Sequence, residues 1–111
     1  MSVAGNSSVQ RTLGILLAVA PEEGSFDYAT GLASSAQEGD TQVYLYLLDD
    51  AVRAASLPEI NQLIERGVKV SACAYAARKR EIDLNDSVTF GGLGLLNDII
   101  TKTDRFVGFC H

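Results

Sequence analysis

Three stretches of the chain, residues 12–20, 41–48 and 68–72, are apolar without alternation. A strand with one face in water shows a polar residue at every second position, whereas a strand covered by helices on both faces does not. The three stretches therefore predict interior strands of a mainly parallel sheet. Between them, apolar positions recur at helical spacing. Phe26, Ala29, Leu32, Ala33 and Ala36 predict a first helix, with Ser25 as its cap and Gly39 as the left-handed residue that closes it. Leu57, Ile60, Leu63 and Ile64 predict a second, with Ser56 and Glu59 forming a capping box and Gly67 closing it. Residues 21–24 read as a turn, and residues 51–55 as a helical turn after Asp49 and Asp50 end the second strand.

Beyond residue 72 the vocabulary changes. Residues 74–80 are strong helix formers, residues 87–90 suit a brief strand, and the glycine-rich run 91–94 turns sharply. Leu95, Leu96, Ile99 and Ile100, set against Asn97, Asp98, Thr101 and Lys102, make an amphipathic last helix before a final strand at 105–109. Strand and helix alternate throughout, which predicts an α/β domain. We expect one domain over residues 12–111, preceded by a mobile tail over 1–11.

Composition narrows the function classes. The 111 residues are 47% apolar and 21% charged, so neither disorder nor a disulfide scaffold is indicated. A net charge of -5 argues against nucleic acid, whose phosphates call for a surplus of lysine and arginine on one face. The longest apolar run, residues 15–20, is far short of the ~20 residues a membrane helix needs. Residues 1–10 lack the charged and apolar regions of a secretory signal, so the expected location is cytoplasmic, with reduced cysteines.

Cys73 is the candidate reactive group. It stands where the third apolar strand hands over to the basic, alanine-rich helix, and ligands of open parallel sheets bind beyond the carboxyl ends of strands. The first turn of a helix offers unpaired N–H groups and partial positive charge, which bias a thiol toward the nucleophilic thiolate. The N–H groups of Ala74, Tyr75 and Ala76 are placed to cradle a sulfur anion, and Arg78 and Arg80 to add positive charge. Pro21, Glu22, Asp49 and Asp50 fall at the ends of the other strands and should line the same edge, where their carboxylates would oppose a thiolate. The competing reading is that Cys73 is a buried, inert filler of the core. Cys110 and His111 are too few for a zinc site within one chain, and Cys110 acts as a resolving thiol only if it comes within disulfide reach. No metal or cofactor is expected.

The run Cys73-Ala74-Tyr75-Ala76-Ala77-Arg78-Lys79-Arg80, with residues 88–96 and 103–107, resembles the DsrE/DsrF/DsrH-type sulfur-relay proteins, and among them the TusD/DsrE branch. The likeness runs from residue 12 to residue 109. It implies a three-layer α/β/α domain with a five-stranded sheet, assembly into homotrimers or hexamers, and a persulfide carried on Cys73. The partners it implies are proteins that donate and accept sulfur, and the alternative on this scaffold is a non-catalytic structural or ligand-binding subunit. Two positions depart from the pattern: Glu81 and Ala51 stand where relatives have glycine. At Glu81 the change predicts that the helix runs on past the basic pair.

Overall fold

The five strands lie in one parallel sheet in the order β4-β3-β2-β1-β5. They are β1 (Arg11–Leu17), β2 (Thr41–Leu47), β3 (Lys69–Cys73), β4 (Thr89–Gly91) and β5 (Arg105–Phe109). The helices are α1 (Gly24–Glu38), α2 (Pro58–Glu65), α3 (Ala74–Lys79) and α4 (Leu93–Lys102), and a 3₁₀ helix spans Asp49–Ala54. The computed structural model describes residues 10–83 and 87–110. The expected tail, apart from residues 10 and 11, lies outside them, as does His111; Arg11 already belongs to β1.

The three unalternating apolar runs are the three central strands, and β4 and β5 are the edges. Ile15, Leu17, Val43, Leu45 and Leu47 are fully buried beneath Phe26, Ala29 and Ala33 of α1 and Ile60 and Leu63 of α2. Helix α4 crosses the opposite face. Its approach is so close that a Cβ on Gly14 of β1 would lie 2.7 Å from the Phe106 ring and 3.0 Å from the Ile99 side chain. Only Ile99 of α4 is buried. Leu95 and Leu96 are half-buried, and Leu93 and Ile100 stand 68% and 44% exposed, so the apolar stripe predicted for this helix is only partly covered.

The helix ends show where local signals compete. Gly67 closes α2 as expected, at φ 105°, with Val68 N–H reaching Leu63 C=O and Gly67 N–H reaching Ile64 C=O. The capping serines do not cap. Helix α1 starts one residue before Ser25, with Glu23 at the cap, and α2 starts at Pro58 with Leu57 at the cap. Proline's fixed φ suits the first helical position and makes Ser56 one residue too early. Gly39 sits at φ -88°, and the left-handed residue is Asp40, at 73°.

Helix α3 also ends against expectation. It stops at Lys79, and Glu81 itself takes the left-handed conformation at φ 55°. Ile82 N–H donates to Ala77 C=O at 2.9 Å and Glu81 N–H to Arg78 C=O at 3.1 Å, the paired bonds of a glycine-type helix stop without the glycine. Half-buried Ile82 packs back on the core, which favours turning over continuing. Ala51, the other departure, is buried in the 3₁₀ helix, and the left-handed residue of that turn is Asp49, at φ 51°.

Candidate functional site

Cys73 is the last residue of β3 and the cap of α3. The strand ends there because its only remaining neighbour, β4, ends in register with it: Cys73 pairs with Gly91. The alanine-rich run then packs tightly, with Ala76 and Ala77 buried and α3 lying on the 3₁₀ helix. The cysteine sulfur accepts a hydrogen bond from Ala76 N–H at 3.4 Å. Of the three amides expected to cradle it, this is the one that reaches it. Ala74 and Tyr75 form the first helical positions, and the Tyr75 side chain is 67% exposed.

The sulfur is not presented to solvent as the sequence predicts. Cys73 is 6% exposed and belongs to the main apolar cluster with Ala72 and Ala76. The cause is the smallness of its neighbours: alanines let α3 settle onto the sheet end and close over the thiol.

The charged residues of this edge are arranged differently from expectation as well. Arg80 turns to Asp50, with Nε 3.0 Å from Oδ1, and its Nη1 donates to Ala76 C=O at 3.3 Å. Arg53 grips Glu22 with both terminal nitrogens, and this hydrogen bonding, more than any other influence, holds the Glu22 carboxyl below its usual 4.5. Two of the carboxylates expected to oppose a thiolate are thus neutralised by arginines, one of which was itself expected to serve the sulfur. Arg78 is exposed and makes no ion pair among the described residues. Asp49 is exposed and Pro21 half-buried.

Successive strands are added on one side of β1 as far as β4 and then on its other side as β5, so the order of winding reverses between β1 and β5. Ligand crevices of open sheets form at such a reversal, and here it lies two strands away from the end of β3. Cys73 therefore owes its position to the β3–α3 junction. Cys73 and Cys110 are both free thiols. Cys73 ends β3 and Cys110 follows β5; those strands are three steps apart, roughly 14 Å at the usual strand spacing, beyond disulfide reach.

One residue of the site escaped the sequence reading. Tyr46 is fully buried on β2, and its hydroxyl donates toward the carbonyl oxygens of both Gly91 and Gly92, 3.3 Å from each. The signal was present: a tyrosine among aliphatic residues of an interior strand must find a partner for its O–H.

The DsrE/DsrF-like family model matches residues 13–109. The fold is similar to that of the crystal structure of the ychN protein from E. coli, with a TM-score of 0.78 at 25% identity, covering 89% of this chain and 99% of that one. It is also similar to a conserved protein of unknown function, BT1422, from Bacteroides thetaiotaomicron, with a TM-score of 0.70 at 14% identity over 98% of this chain and all of that one. No curated protein matches the chain in sequence.

Proposed function

Since the chain belongs to the DsrE/DsrF-like family, which is generally associated with sulfur relay, we propose that it is a sulfur carrier that accepts sulfur as a persulfide on Cys73 and passes it to a partner protein. The observation that carries the reading is the sulfur of Cys73 capping α3 and accepting the Ala76 N–H. A charged acceptor strengthens such a bond, so the arrangement favours the anionic sulfur that the chemistry uses.

The transfer has two balanced halves. The Cys73 thiolate attacks the outer sulfur of a donor persulfide; a new S–S bond forms, the donor's S–S bond breaks, and the donor leaves as a thiolate. An acceptor thiolate then attacks the outer sulfur on Cys73, and Cys73 leaves as a thiolate. The sulfane sulfur keeps its oxidation level throughout, so no oxidant or reductant is consumed. Pairing of Asp50 with Arg80 and of Glu22 with Arg53 limits repulsion of the anion by nearby carboxylates. Pro21 and Asp49 complete the edge on this reading. Partners are sulfur-donating and sulfur-accepting proteins. The exposed apolar side chains of Leu93, Ile100 and Val107 support assembly into a homotrimer or hexamer. No helix among the described residues is long and apolar enough to cross a membrane, and the proposed setting is the cytoplasm.

A second reading has its own support: the burial of Cys73 favours a non-catalytic subunit of a DsrE-like assembly. One experiment separates them. The native protein is incubated with a low-molecular-weight persulfide, digested, and the peptides weighed. We expect a gain of one sulfur, about 32 Da, on the Cys73 peptide, lost in Cys73→Ser and kept in Cys110→Ser. Equal labelling of Cys73→Ser, or none in the native protein, rules out the carrier.

A further inference from the structure

The sulfur-relay reading leaves one buried proton without a task. Tyr46 pairs with Ser71 across β2 and β3, Cys73 lies two residues further along the same face, and Gly91 pairs with Cys73 across β3 and β4. To reach the carbonyls of Gly91 and Gly92 the phenol must run diagonally from β2 across β3 past Cys73, whose charge acts on its ionisation. A phenol has one proton to donate, and three acceptors surround this one. The two carbonyl contacts, at 3.3 Å each, are long for an O–H donor, whose bonds are commonly about 2.7–2.8 Å. An anionic sulfur is the stronger acceptor of the three when it is present.

We infer that Tyr46 is the hydrogen-bond donor to the Cys73 thiolate, turning its O–H from the glycine carbonyls to the sulfur whenever that sulfur carries the negative charge. The proton stays on the phenol throughout. Two steps gain: the thiolate is held ready to attack, and it is stabilised as the leaving group when an acceptor takes the outer sulfur. Burial first, and then the charge and hydrogen bonding of Cys73, push Tyr46 up to about 12, so it remains a donor where thiols ionise.

The inference takes its purpose from the sulfur-relay reading, but its test does not depend on it. In the native protein and in Cys73→Ala, the phenolate step near pH 12 is followed by near-ultraviolet absorbance. Removal of the thiol is expected to bring that step down from about 12 while burial still holds it above 10. Tyr46→Phe keeps the ring and is expected to slow alkylation of Cys73 by iodoacetamide at neutral pH by roughly tenfold, as for loss of one charge-assisted hydrogen bond. At high pH, where the thiol is fully ionised, its rate is at least that of the native protein, which a merely structural defect would not produce. An unmoved phenolate step in Cys73→Ala overturns the inference, and decides alone if Tyr46→Phe fails to fold; superimposable alkylation profiles overturn it equally. Phenolate coupling without persulfide formation sinks the carrier and leaves Tyr46 in place, and persulfide formation without coupling does the reverse.

Discussion

Replacing Glu81 by glycine is expected to stabilise the protein, although it removes a side chain and adds a flexible residue. Glu81 holds the left-handed position that stops α3, at φ 55°, and its own Cβ is the source of the cost. That region costs an L-residue about 1–2 kcal/mol, while glycine gives back about 0.5–1 kcal/mol through its greater freedom in the unfolded chain. The difference is a gain of about 0.5–1 kcal/mol. At a urea slope of about 2 kcal/mol/M the midpoint rises by roughly 0.3–0.5 M, with the slope unchanged. Glu81→Ala is the control, because it removes the carboxylate and keeps the Cβ, and it should not move the midpoint upward. The backbone argument fails if the glycine variant unfolds at or below the native midpoint. It fails equally if alanine gains as much as glycine, since the carboxylate would then be the cause.

Gly14→Ala is expected to destabilise by about 1–3 kcal/mol, the usual range for overpacking, because the new methyl would press on Phe106 and Ile99; an unchanged urea midpoint would show that α4 moves aside freely. Tyr46 also predicts a pH dependence. Its folded pKa is raised from 10 to about 12, so its contribution is fully present below pH 10 and is lost as pH rises through 12. Urea titrations across that window should fall more steeply for the native protein than for Tyr46→Phe, and parallel slopes would contradict the shift. The Glu22 carboxyl should titrate below 4.5 by NMR and return toward it in Arg53→Gln, since the arginine is the leading cause. A Glu22 titration unmoved by that substitution would mean the pair is not formed in solution.

What could be read from the residues alone was whatever is decided within one segment. The central strands announce themselves because burial on both faces leaves no room for polar alternation, and Gly67 announces the end of α2 because few other residues accept φ 105° cheaply. The same logic misled at Glu81, where the chain takes a glycine conformation without a glycine because Ile82 has apolar surface to return to. Arg80 sits two residues from Arg78 in sequence, yet it faces Asp50, thirty positions away. Only the packing of α3 on the 3₁₀ helix brings those two together. The burial of Cys73 and the place of Tyr46 beside it follow from register between strands of different segments, which no local pattern contains.

The position of β1 inside the sheet, between β2 and the edge strand β5, constrains how the chain reaches its final form. Its two neighbours come from residues 41–47 and from residues 105–109. The second neighbour is also tied in by Thr12 N–H, which donates to the Asp104 carboxylate at 2.9 Å across 92 residues. Closing so wide a loop is slow compared with pairing β1, β2 and β3 in sequence. Until it closes, a seven-residue apolar strand has one side of its backbone open to any other strand. A chain cut before Arg105 keeps that open side permanently, as an edge of the kind that pairs with other strands.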